Sequence, residues 1–199
     1  MNFGIKAASL SKLQTKAVEL WHKNSDVSAK NAVEEIILKQ HRFNYDLWHE
    51  EDEARRTDVT DGEIARVKRA IDRLNQQRND AIEMIDQFLI AEILRAKIRN
   101  RKDARLNSET AGSIIDRLSI IALRIYHMNE QVNRSDASLD HIKQCSLKLK
   151  ILKQQAKDLS QCFDELLIDL ASGKKILKTY RQYKMYNDPN LNPALYKKK

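Results

Sequence analysis

Histidine, tryptophan and four consecutive acids meet in FNYDLWHEEDEARR, Phe43 to Arg56. Carboxylates and imidazoles ligate divalent cations, an indole stacks on flat ligands, and arginine pairs with anions. His41, Asn44, Trp48, Glu51 or Asp52, and Arg55 recur at helical spacing, so they line one side of a helix beside the apolar Phe43 and Leu47. A second line, Lys68, Asp72, Asn75, Asn79, Glu83 and Asp86, borders an apolar seam that Arg78 alone interrupts. Polar groups buried without partners cost about 1–3 kcal/mol each. If the two lines face inward, they must pair with each other or with a ligand. Arg78 is then the expected partner of a carboxylate between Glu50 and Glu53, since a guanidinium cannot lose its charge on burial.

Glu83-x-x-Asp86 sets two carboxylates one helical turn apart, a spacing able to share a cation. With Glu50 and Glu51 they form the candidate metal set. The chain has no HExxH and no paired-cysteine motif, so a hard ion, Mg²⁺ or Mn²⁺, matches these oxygens better than zinc. A third element is LNSETAGSIIDR, where the Thr110 and Ser113 hydroxyls and the free amides of a helix start can cradle a phosphate or carboxylate. The competing reading is plain: solvated helix faces, interhelical ion pairs and an ordinary capped helix. His127, isolated in sequence, reads as structural.

These residues support three functions. In the first, Trp48, His49, Glu51, Asp52, Arg55, Arg78, Asn79, Glu83, Thr110 and Ser113 converge on a small anionic ligand such as a nucleotide, nucleotide sugar or sugar phosphate. In the second, Glu50, Glu51, Glu53, Glu83 and Asp86 bind Mg²⁺ for nucleotide pyrophosphohydrolysis, although their order departs from the EExxE pattern of helical enzymes of that kind. In the third, the protein is a scaffold for a partner protein. No nucleic-acid reader motif is present, and the aromatics are not interleaved with basic residues.

The elements that must hold these groups are helices. Four glycines and two prolines are few for 199 residues, while helix-forming residues abound. Apolar periodicity predicts helices over about Ser9–His22 and Ser28–Arg56, a third from the capping box Thr60-x-x-Glu63 past Ile93, and a fourth from near Ser113. The fifth carries Ile142, Cys145, Leu149, Leu152, Ala156, Leu159, Phe163, Leu166 and Leu170 in alternating steps of three and four. That heptad seam suits a bundle or a homodimer equally. KKILKTYRQYKMY is a shorter amphipathic piece. NDPNLNPALY, broken by prolines, is expected to dock Leu191, Leu195 and Tyr196 as an extended strap.

The expected architecture is all-α: one domain over residues 1–199, an antiparallel bundle of five or six helices with its core over about 9–186 and a tail from 187. Cys145 and Cys162, seventeen positions apart on one helix, are too distant for a disulfide and read as core fillers. No apolar run is long enough to insert in a membrane, and MNFGIKAASLSK lacks the regions of a secretory signal, so a cytoplasmic protein is expected. The net charge of +8 resides in the last 57 residues, which hold 13 basic and 5 acidic side chains.

LWHEEDEAR, IARVKRAIDRLNQQRNDAIEMID, LNSETAGSIIDRLSIIALRIYHMNEQ and YKMYNDPNLNP resemble the bacterial family known as domain of unknown function 4254, over about Phe43 to Pro193. The resemblance implies a link to cell-envelope glycan assembly and assigns no catalytic residue. It departs at Ala111, where proline more often precedes the glycine of the ETxGS element.

Overall fold

The computed structural model describes residues 3–181, 183, 185 and 188–196. Its helices are α1 (Ala7–Trp21), α2 (Ala32–Glu53), α3 (Asp61–Arg95), α4 (Ala111–Val132), α5 (Leu139–Ala171) and α6 (Pro193–Tyr196), with two-residue strands β1 (Arg105–Leu106) and β2 (Lys175–Ile176). The all-α bundle is therefore correct, with a two-stranded parallel ladder that helical periodicity did not announce.

Local chemistry sets the helix limits. Asn31 accepts the Glu34 amide at 3.0 Å and starts α2 four residues after Ser28. The Thr60/Glu63 capping box forms as expected. In α4 the cap is Thr110, whose Oγ1 accepts the Ser113 amide, so Ser113 lies inside the first turn rather than opening the helix. Asn24 closes α1 in the left-handed conformation (φ 52°), while the Ser25 amide reaches back to the Leu20 carbonyl.

α2 and α3 pack as one antiparallel pair and α4 and α5 as another, and α4 touches α1, α2, α3 and α5. Its sequence explains this central place: the first thirteen residues, AGSIIDRLSIIAL, contain only two charges, and most of them are buried. Around its Ile115 close Ile37, Ile85, Leu89, Phe163 and Leu170, each worth roughly 1.5–3 kcal/mol when removed from water. A Cβ on Gly112 would lie 2.5 Å from the Ile82 carbonyl oxygen, so only glycine lets α4 begin this close to α3. Gly173 (φ 69°) turns the chain at the end of α5 and accepts the Arg101 amide at 2.9 Å.

Several expectations change here. After Gly173 the described stretch 174–181 of the amphipathic segment does not become a helix: Lys175 and Ile176 pair with Arg105 and Leu106, and residues 177–181 form no regular element. Backbone pairing to a distant strand outweighs local propensity there. Gln182, Lys184, Tyr186, Asn187 and Lys197–Lys199 of the expected terminal segment lie outside the described residues. Pro193 opens α6 instead of forbidding it, since the first helical residue has no amide bond to lose. Leu191, Leu195 and Tyr196 are exposed and do not dock as a strap. Phe43 is only half-buried, and of the two free cysteines only Cys145 fills the core. No helix among the described residues is long and apolar enough to cross a membrane.

Candidate functional site

The polar side of α2 turns toward α4. His41 is fully buried; its Nε2 donates to the Gln14 carbonyl at 3.0 Å. Its Nδ1 must then accept the Ser119 hydroxyl, 2.6 Å away, and Ser119 Oγ accepts from Asn44 at 2.8 Å. Asn44 also donates to Asp116 Oδ1 at 2.9 Å, which receives Gln40 Nε2 at 2.6 Å. Burial drives the His41 pKa down to about 4, against the upward pull of the Gln14 carbonyl, so the ring is neutral. Burial also raises the Asp116 carboxyl, opposed by the Arg78 charge and the Asn44 bond.

Arg78 therefore takes a different partner from the one expected. It faces Asp116 on α4, with Nε 3.7 Å from Oδ1, rather than an acid of the Glu50–Glu53 run. The reason is register. Leu47 packs on Val67 and Ile71 near the start of α3, so the acids beyond it on α2 lie further still from Arg78.

The same register separates the candidate metal ligands. Glu50 shares a groove with Ala70, Arg73, Leu74 and Gln77 of α3. Glu83 is six residues beyond Gln77 on α3, about 9 Å further along the axis. Asp86 is committed elsewhere: it is buried and accepts the Gly112 amide at 2.7 Å. Burial raises its carboxyl, opposed by bonds from the Thr110 hydroxyl and the Gly112 amide, while Glu83 adds to the rise. The helix start read as a phosphate cradle thus holds an anion from its own chain, and the Thr110 and Ser113 hydroxyls bond each other at 3.0 Å. Glu51 and Arg55 form an exposed pair one turn apart, and Asn79 is buried on α3.

Trp48, His49 and Asp52 remain at one end of the bundle, where two features adjoin. The first is a ring cluster. His22 at the end of α1, His49 on α2 and His127 on α4 bring one ring nitrogen each to within 4.8 Å of the others. His22 stacks on Tyr126 (centroids 4.3 Å apart), His127 on Trp48 (4.5 Å), and Tyr45 meets His49 edge-on (4.5 Å). Burial, with His22 and His127 alongside, lowers the His49 pKa against the pull of Asp52 and Asp46. The second is a groove of about 640 Å³ between α2, α4 and α5, walled by Trp48, Asp52, Arg124, His127, Lys148 and Ile151 among others. Its size suits a small organic ligand. Arg124 and Lys148 form no ion pair with a described residue.

Sequence reasoning missed His22 and took His127 as isolated. A signal was present: each histidine of the cluster directly follows an aromatic residue, in Trp21-His22, Trp48-His49 and Tyr126-His127, and LWH occurs twice. Those aromatics lie far apart in sequence, and only helix packing assembles them.

No curated protein and no solved structure matches this chain. A family model matches residues 34–179, a span that includes His49, Trp48, Arg124 and His127 and leaves out α1 with His22. Of the resembling segments, YKMYNDPNLNP lies wholly beyond it. With most of its length covered, the chain belongs to the family described as protein of unknown function (DUF4254).

Proposed function

We propose that the protein binds a small anionic ligand, of the sugar-phosphate or nucleotide-sugar class, in the groove between α2, α4 and α5. The carrying observation is that two cations without ion-pair partners among the described residues, Arg124 and Lys148, share a ligand-sized groove with the flat face of the Trp48–His127 stack. Arginine and lysine there offer charge-assisted bonds to a phosphate, and the indole supports a planar or sugar ring. Met128, Ile151 and Leu152 give one side of the groove an apolar wall. The ligand class includes nucleotide sugars because the family resemblance implied envelope glycan assembly. Catalysis is no part of the proposal.

Calorimetric titration with sugar phosphates, nucleotides and nucleotide sugars tests it. One class is expected to bind, and Arg124→Ala and Lys148→Ala each to weaken binding at least tenfold with helix content intact. Equal affinity in both variants would remove the groove from consideration. A second reading, a docking scaffold, draws on Leu147 and Ile151, apolar side chains of α5 that stand exposed one turn apart beside the groove. The pyrophosphohydrolase reading lacks comparable support, since the groove that holds Glu50 on α2 does not include Glu83 on α3.

A further inference from the structure

Three imidazoles facing one another need an explanation in terms of where their protons are. His22 Nδ1 is 2.8 Å from the Val18 carbonyl oxygen, which can only accept, so that nitrogen carries the proton. His127 Nδ1 is 2.8 Å from a Glu130 carboxylate oxygen, and the same logic protonates it. Whenever either ring is neutral, its Nε2 is therefore a bare lone pair. The Nε2 atoms of His22, His49 and His127 are all buried and have no hydrogen-bond partner. Three orphaned nitrogens at one place repel where they are lone pairs, and each forgoes the bond it would make to water.

A proton would satisfy one of them, and a water molecule could donate to two. A cation with several coordination positions satisfies all three. We propose that His22, His49 and His127 bind a divalent transition-metal ion of the zinc class, taken up through their Nε2 atoms. An all-imidazole set suits Zn²⁺, Co²⁺, Ni²⁺ or Cu²⁺ and disfavours Mg²⁺ and Mn²⁺, which prefer oxygen. This is a different place and a different metal class from the carboxylate set read in the sequence.

The surroundings repeat what metal-bound histidines require. The distal nitrogen of one ring is held by a backbone carbonyl and that of another by a carboxylate, which orients the ring and strengthens the donor. Bonds of about 2.0–2.1 Å put tetrahedral nitrogens roughly 3.4 Å apart. The ring nitrogens, now within 4.8 Å, would close by a small rotation of half-buried side chains. Three protein ligands leave one position for water or for an anionic group. The site does not depend on the anionic ligand of the groove, although His127 borders both.

The test uses the full chain, free of any polyhistidine tag and stripped with chelator, then dialysed against Zn²⁺ or Co²⁺. One equivalent of zinc is expected, with the intense visible absorption of tetrahedral Co²⁺, and Mg²⁺ should not compete. His22→Ala, His49→Ala and His127→Ala should each lower zinc affinity at least a hundredfold while far-ultraviolet dichroism is unchanged, and His141→Ala should have no effect. Glu130→Gln, which keeps the fold and all three ligands, should weaken zinc about 10–100-fold. Should a histidine variant fail to fold, Glu130→Gln and the wild-type stoichiometry still decide. No zinc uptake by the wild type, or uptake unchanged in the folded variants, would overturn the site. Arg124→Ala and Lys148→Ala should bind zinc normally, so a failure of the groove reading leaves this result distinct.

Discussion

Helix α2 supplies both a closed polar network and an open one, two turns apart. At His41 both ring nitrogens are used, one by the Gln14 carbonyl and one by Ser119, and the hydroxyl is in turn held by Asn44. At His49 the buried Nε2 is unpartnered, and so are those of His22 and His127 beside it. Both regions are polar, helical and aromatic-lined. The difference teaches that burial of a histidine says little by itself; what marks a binding site is a lone pair left without a donor.

Breaking the closed region should have the largest effect. Asp116→Ala removes the acceptor of Gln40 and Asn44 and the counter-ion of Arg78, and should cost about 3–5 kcal/mol in urea unfolding, roughly 10 °C in Tm. A loss under 1 kcal/mol would mean that the network is not what holds α2, α3 and α4 together.

Acid sharpens the contrast. His41 binds a proton less readily folded (about 4) than unfolded (about 6.5), so its share of stability is present above pH 6.5 and lost as pH falls toward 4. The loss is about 3 kcal/mol, partly offset at the acid end by Asp86 and Asp116, whose raised carboxyls protonate more readily in the folded chain. Urea curves between pH 7 and pH 4.5 should show this slope in the wild type and a flatter one in His41→Gln. Parallel slopes would place the acid sensitivity elsewhere.

Asp86→Ala, which strips the anion from the start of α4, should cost about 1–3 kcal/mol by uncapping the Gly112 amide. Smallest of all, in metal-free protein, is His127→Phe. An apolar ring of similar shape replaces the unsatisfied Nε2, gives up only the exposed Nδ1 bond to Glu130 and keeps the stack on Trp48, so stability should move by less than about 1 kcal/mol in either direction. If calorimetry found it as damaging as Asp116→Ala, the histidine cluster would be a structural network after all, and the contrast would fall.

The helices were legible because their causes are local. The apolar seam of α5, the capping box of α3 and the polar side of α2 are set by residues within one turn of each other, and periodicity reads them directly. Which helix each polar side faces was not legible. His41 and Asn44 find Ser119 and Asp116 more than seventy residues away, and Asp86 finds Gly112, through the register of packed helices.

The amino-acid order alone thus determined an all-helical chain, the caps that start its helices and the polar stripes on α2 and α3. Tertiary structure decided that Arg78 serves Asp116, that the α4 start is filled by Asp86, and that three histidines from α1, α2 and α4 meet. The physical reason is range: caps and periodicity act across a few residues, whereas a shared lone-pair site needs three helix ends brought together by burial of a common core.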